Sequence, residues 1–293
     1  MADLIQINNG LLAIGGNLIV LGASEPLPRY TMKLLYSDGV TPTFSKGTGV
    51  QVSSSPNIWD LTYENDNWYS ILSGHTDLLE VIDANTTGVT DMYSMFFNCN
   101  QLQNVCLFDT SSVHNMNAMF QQCRNIESIP LFDTSNVGDM RSMFLSCTKI
   151  TEVPLFNTSK VTMMESMFSY CSNLRTVPLL DTSRVVDMYK MFENCKSIES
   201  VPLFDTSAAT RIDRMFTGCI SLKSVPLFDL TSALYMDFMF YNCSKVESGS
   251  YALYQSASSK SPIPSHTQTF YNCGSGTTTG AAELAMIPSG WKN

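Results

Sequence analysis

Phe132-Asp133-Thr134-Ser135-Asn136-Val137 opens, and Val153-Pro154-Leu155 closes, a 24-residue unit that recurs along most of this 293-residue chain. A cysteine marks each unit: Cys99, Cys123, Cys147, Cys171, Cys195, Cys219 and Cys243 follow one another at a spacing of 24. So strict a period is the signature of an array in which each unit buries its apolar face against its neighbours. Met-Phe pairs precede the cysteines, at Met95-Phe96, Met119-Phe120, Met143-Phe144, Met167-Phe168, Met191-Phe192, Met215-Phe216 and Met239-Phe240. With Met92, Met116, Met140, Met164, Met188, Ile212 and Met236, and with Val89, Val113, Val137, Val161 and Val185, apolar residues fall at offsets 0, 3, 6, 7 and 10. That spacing predicts a short helix in each unit. The Asp-Thr-Ser runs at 109–111, 133–135, 181–183 and 205–207, with Asn157-Thr158-Ser159 in one unit, supply side chains suited to cap its first turn. The second half, as in Ile126-Glu127-Ser128-Ile129-Pro130-Leu131-Phe132, reads as a short strand closed by a turn. The prolines at 130, 154, 178, 202 and 226 sit near its end, where no ladder bond is lost.

The unit Phe-Asp-Thr-Ser-x-Val-x-x-Met-x-x-Met-Phe-x-x-Cys-x-x-Leu-x-x-Val-Pro-Leu closely resembles the BspA-like leucine-rich repeat of bacterial surface proteins and of gut bacteriophage proteins. The resemblance covers roughly three quarters of the chain. The expected fold class is α+β: a leucine-rich-repeat solenoid of about eight to nine 24-residue strand–helix units, preceded by a small N-terminal β region.

Extending the register back by 24 from Met92, Met95, Phe96 and Cys99 lands on Trp68, Ile71, Leu72 and His75, a divergent first unit. At the other end Phe270-Tyr271-Asn272-Cys273 repeats Phe240-Tyr241-Asn242-Cys243 at a spacing of 30, so an insertion within about 248–266 enlarges the last unit, and Ala281–Ala285 is expected to close it. The expected layout is residues 1–29 as a β meander with linker, 30–63 as a small β module, and 64–293 as the repeats, with an N-terminal cap over 64–84 and the enlarged terminal unit over 244–293.

In the first segment, apolar runs carrying Leu4, Ile5, Ile7, Leu11, Leu12, Ile14, Leu18, Ile19 and Val20 are separated by the turn signals Asn8-Asn9-Gly10 and Gly15-Gly16-Asn17. Three such strands make a sheet too small to stand alone, so these residues are the expected assembly surface. Glu25-Pro26-Leu27-Pro28 reads as a stiff linker. Met32–Tyr36 and Gly49–Val52 suggest strands flanking the Ser37-Asp38-Gly39 turn.

The formal net charge of −9 disfavours a nucleic acid or an anionic membrane as partner, since phosphate binding needs a basic face. No stretch has the length of a membrane-spanning helix, and Asp3 with no Lys or Arg before Arg29 makes a poor export signal. This favours the phage branch of the resemblance, with synthesis in the host cytoplasm, over the bacterial surface members. The cysteines are expected to be free, buried small hydrophobes, because stacked helices would hold them beyond disulfide reach. No Cys-x-x-Cys exists and His75, His114 and His266 are scattered, so neither a metal nor any other cofactor is expected. The Asp ladder (Asp109, Asp133, Asp181, Asp205, Asp229) could serve calcium, or equally well the turns it sits in. No catalytic motif is present, so an enzyme is not expected.

What remains is surface. The outward positions of the strand half, Gln103, Asn104, Glu127, Ser128, Thr151, Glu152, Arg175, Thr176, Glu199, Ser200, Lys223 and Ser224, vary while the core positions repeat, and they form the expected partner-binding face. The functional expectation is a bacteriophage virion structural protein, of fibre or decoration type. Its N-terminal strands would dock on other virion proteins or build a homo-oligomer, and its repeats would grip a host surface protein or glycan. The alternative is a bacterial cell-surface adhesin of the same repeat family.

Overall fold

A computed structural model describes residues 30–293 and, as backbone strands, β1 (Ile7–Asn8), β2 (Leu11–Ile14) and β3 (Asn17–Val20). These three pair as an antiparallel meander, Ile7 opposite Leu12 and Leu11 opposite Val20. Leu4 and Ile5 of the expected assembly surface lie outside the described residues, as does the Glu25–Pro28 linker.

A second sheet contains β4 (Tyr30–Tyr36), β5 (Thr48–Ser54), β6 (Asn57–Tyr63), β7 (Leu78–Asn85) and β8 (Asn104–Val105), in the order β5-β6-β4-β7-β8. On central β4, Tyr30, Met32, Leu34 and Tyr36 are buried while Thr31, Lys33 and Leu35 are not, the period-two signature of a strand with one face on the core. β4 runs antiparallel to β6 and β7, whereas β7 and β8 are parallel. Because β8 belongs to the second unit of the array, the sheet passes directly into the repeats.

The repeats correct the expected strand–helix architecture. They contain no helix; among the described residues the only α-helices are α1 (Ser250–Ser258) and α2 (Thr278–Met286), both beyond the regular units. The backbone amides explain why. Met92, Ser94, Phe96 and Asn98 donate to the carbonyls of Asn115, Asn117, Met119 and Gln121 in the next unit at 2.8–3.0 Å. The intervening Met95, Phe97 and Cys99 close tight turns onto Met92, Ser94 and Phe96. Two residues per unit also have left-handed backbone, Ser94 and Asn98 (φ 51° and 59°), then Ala118 and Gln122 (φ 56° and 64°), and so on. A right-handed helix cannot pass through such residues. The parallel bridges Asn67–Asp91–Asn115–Asp139–Met163–Asp187–Arg211–Tyr235–Ser265 register the same stacking, one rung per unit.

The expected strand half is corrected too. After β7 in the divergent first unit, Asn104–Val105 is the only strand in a repeat unit among the described residues. Here Cys106 stands where later units carry proline, and its amide donates to Val81 O at 3.0 Å. Proline has no such donor, so at 130, 154, 178, 202 and 226 the ladder cannot extend. The protein is thus mostly β-bridges and turns, stacked unit on unit.

The core is a set of side-chain ladders. Phe96, Phe120, Phe144, Phe168, Phe192, Phe216, Phe240 and Phe270 stack face to face, with centroids 5.3–6.0 Å apart and ring planes within 12°. The ladder cysteines are buried and free, and each Sγ donates to a carbonyl 27 residues earlier, Cys123 to Phe96 and Cys147 to Phe120 at 3.1 Å. Burial drives their thiols up, to about 12 for Cys99 and Cys171. Thr110, Thr134, Thr158 and Thr182 are buried as well, each Oγ1 donating to the carbonyl of residue Asp133, Asn157, Asp181 or Asp205 in the next unit at 2.8–2.9 Å. These threonines bond the following rung and cap no helix.

Both ends of the stack are covered. Trp68, Ile71 and Leu72 are buried under β4, with Tyr30 edge-on to Trp68 at 5.9 Å. His75, at the ladder-cysteine position, packs on Phe44 with centroids 5.5 Å apart and places Nδ1 2.6 Å from Tyr36 Oη. Burial lowers its pKa from the ordinary 6.5, so the unfolded chain takes up the proton first as pH falls. Stability from this site is present in full above about pH 6.5 and declines below it. Urea unfolding at pH 7.5 and pH 5 should show a loss at the lower pH that His75→Gln reduces; an equal loss in both chains would remove His75 as its source. At the far end α1 is looped out of the 30-residue unit, and Trp291 closes the stack, its carbonyl accepting from Phe270 N at 3.0 Å.

Candidate binding face

All twelve residues expected on the binding face, from Gln103 and Asn104 to Lys223 and Ser224, are exposed. Their charges are partly engaged: Lys223 pairs with Glu199 within the row at 2.5 Å, and Glu127 pairs with Lys149 outside it at 3.5 Å. Such exposed pairs contribute little to stability, so they fix side-chain positions on this face more than they hold the fold. The Glu199 carboxyl sits below its ordinary range because Lys223 bonds it.

Beside this polar row runs a second feature, made of the leucines that follow the prolines. Leu107, Leu131, Leu155, Leu179, Leu203 and Leu227 are each 57–66% exposed, one per unit. Local backbone explains the exposure. In four units the residue after the leucine donates to the carbonyl of the residue before it, as Phe132 does to Pro130 at 2.9 Å, Phe156 to Pro154, Phe204 to Pro202 and Phe228 to Pro226 at 3.0 Å. This three-residue turn puts the leucine at its apex while Phe132, Phe156, Phe204 and Phe228 point into the core. The signal was present in the sequence: Ile126, Ile129 and Phe132 keep a three-residue spacing that leaves Leu131 out of phase. A single exposed leucine is ordinary, but six in register make a continuous apolar stripe.

The Asp ladder flanks the stripe on its other side. Asp109, Asp133, Asp181 and Asp205 Oδ1 each accept from the backbone amide of the serine two residues on, and Asp109, Asp181 and Asp205 also take that serine's hydroxyl, at 2.6–3.1 Å. These bonds lower the pKa of Asp109, Asp133 and Asp181. The aspartates form local turns. Among the described residues no three His, Cys, Asp or Glu side chains converge as a metal site, and no helix is long and apolar enough to cross a membrane.

Residues 70–177 and 148–254 match the model of the family described as "Mycoplasma protein of unknown function, DUF285". Together the two matches span more than half of the chain, which therefore belongs to this family, in keeping with the BspA-like resemblance of its repeat. Neither the curated proteins nor the solved structures contain a match.

Proposed function

We propose, from the premise that the chain is a DUF285 protein, that it is a non-enzymatic recognition protein whose repeats grip a partner protein along the leucine stripe and its polar flank. The observation that carries this reading is the constancy of the exposed leucines. Gln103, Glu127, Thr151, Arg175, Glu199 and Lys223 change from unit to unit, yet Leu107 to Leu227 do not, although the turn alone would accept a polar side chain. Apolar side chains offer a sugar hydroxyl no hydrogen bond, so the stripe favours a protein partner over a glycan, with the varied flank giving specificity. The chain's acidic balance leaves nucleic acid as a poor alternative.

In this reading the protein is a bacteriophage virion component, docked or oligomerised through the β1–β3 meander, and it meets the host cell with its repeats. A bacterial cell-surface adhesin is the second reading, favoured by the bacterial name in the family description. Replacing Leu131, Leu155 and Leu179 by serine should weaken adhesion to host cells by about tenfold per leucine without shifting the urea midpoint. Retained adhesion would remove the stripe from the function. Recovery of the protein only from intact bacteria, never from purified virions, would favour the adhesin. Normal virion incorporation of a chain lacking residues 1–24 would refute docking through the meander.

A further inference from the structure

On a separate edge of the stack, just before and after the cysteine ladder, lies a polar trough of about 360 Å³ lined by Arg124, Ser146, Thr148, Tyr170, Ser172, Asn194 and Lys196. It spans four units. Three observations single it out. The first is a strained aromatic. Tyr170 has φ 60° and is 49% exposed, whereas the equivalent left-handed positions hold Asn98, Gln122, Ser146, Asn194, Gly218, Asn242 and Asn272, nearly all small or amide-bearing residues suited to that backbone. At this position of the unit a bulky side chain is the exception, and half of it stays open to solvent. The second is charge. In a chain of net charge −9, the two residues following each ladder cysteine are Asn100-Gln101, Arg124-Asn125, Thr148-Lys149, Ser172-Asn173, Lys196-Ser197, Ile220-Ser221 and Ser244-Lys245: four cations and no acid. Glu193, beside Asn194 in sequence, is buried and lies 3.6 Å from Lys190 and 3.9 Å from Arg214. The third is the lining, in which hydroxyl and amide side chains stand between the cations Arg124 and Lys196 around one aromatic ring.

We propose that this trough binds an acidic saccharide chain, with a sugar ring lying on Tyr170, its hydroxyls bonded by Ser146, Thr148, Ser172 and Asn194, and carboxylates held by Arg124 and Lys196. The aromatic face suits the C–H side of a pyranose. The small polar side chains suit its rim, and the two cations stand three rungs apart, roughly 14 Å at the usual strand spacing, so they meet acidic groups separated by intervening sugars along a chain. An acidic peptide would satisfy the cations but leave the trough without a pocket for its side chains. This site is distinct from the leucine stripe and stands or falls independently of it.

The test uses the full chain and a galacturonate hexasaccharide, with hexaglutamate and a neutral glucose hexasaccharide as comparisons, followed by calorimetry. Binding of the galacturonate chain alone is the expected result. Tyr170→Asn should weaken it by about tenfold or more while leaving the urea midpoint unchanged or higher, because asparagine fits this backbone. A tyrosine kept for structure would do the reverse. Arg124→Ser should weaken binding similarly, and Lys223→Ser, on the other face, should not. Equal binding of hexaglutamate or of the neutral sugar, no binding of galacturonate, or full affinity in Tyr170→Asn would overturn the proposal.

Discussion

Phe168→Ala should lower the free energy of unfolding by about 3–5 kcal/mol, the range for deleting a buried phenylalanine. Phe168 is fully buried and stacked on both faces, 5.7 Å from Phe144 and 5.4 Å from Phe192. The cavity cannot close by drawing those neighbours together. Phe168 N bonds Met191 O at 2.9 Å and Phe144 N bonds Met167 O at 2.9 Å, so rung spacing is set by the backbone and the void persists. Phe270→Ala is the internal comparison. Phe270 stacks on Phe240 on one face only, and on its other side meets Trp291, whose ring is tilted by 32° and stands 6.2 Å away. Its loss should cost clearly less. In urea, Phe168→Ala should also split the transition, since an array held by neighbour contacts alone comes apart where one contact is weakened. A loss under about 1 kcal/mol, or one equal to that of Phe270→Ala, would mean that the stack is not what fixes stability.

Gly280→Ala should release the C-terminal cover. Gly280 lies in the first turn of α2, and a methyl group there would stand 2.0 Å from Val246 O and 2.7 Å from Gly274 Cα, both backbone atoms that cannot swing away. Gly274 itself has φ 73° and is pinned by a 2.9 Å bond to Cys243 O, so the helix must move instead. Moving α2 withdraws Glu283, whose carboxylate accepts from Ser250 Oγ at 2.8 Å and Tyr251 N at 3.1 Å at the start of α1. Burial opposes that charge, but the bonds from Tyr251, Ser250 and Gly249 outweigh it and lower its pKa. Overpacking of this kind costs about 1–3 kcal/mol and here disturbs two helices. Thiol labelling gives the readout. Eight of the nine free cysteines are buried and only Cys106 is partly open, so the native chain should label once at most. Gly280→Ala should add Cys273. Unchanged labelling and an unchanged urea midpoint together would show that α2 is not the cover.

The sequence exposed the period and the core positions because one ladder residue per 24 cannot be mistaken for anything else. It misled on the backbone between them. Apolar residues at 89, 92, 95, 96 and 99 satisfy a helix, but buried residues continue at 102, 105, 108, 110 and 113, keeping roughly every third residue inside all the way round the unit. A helix would not hold that phase beyond two turns. The run describes a coil whose amides reach the next coil, and the small or polar residues at 94 and 98 that permit left-handed turns were the available clue. The strand half failed for a reason visible in its prolines, and β8 survives where Cys106 replaces one. The varied polar face was legible as surface, since it breaks the period. The leucine stripe was not, because a repeated leucine in a repeat protein reads as core. The trough was not legible either, as its residues are spread over four units in sequence and only stacking brings them together.

Identical side chains stacked in register on backbone rungs bonded one to the next, phenylalanine on phenylalanine and threonine on threonine, are also the geometry of an amyloid filament. This chain makes that geometry within one molecule and stops it, with the β4–β7 sheet at one end and Trp291 and α2 at the other. Growth of a filament requires an open rung, and the covers deny one to any second copy. A chain cut before α2 would present the Phe270 rung to solvent as a template, and its fate would become self-association in proportion to concentration instead of simple unfolding.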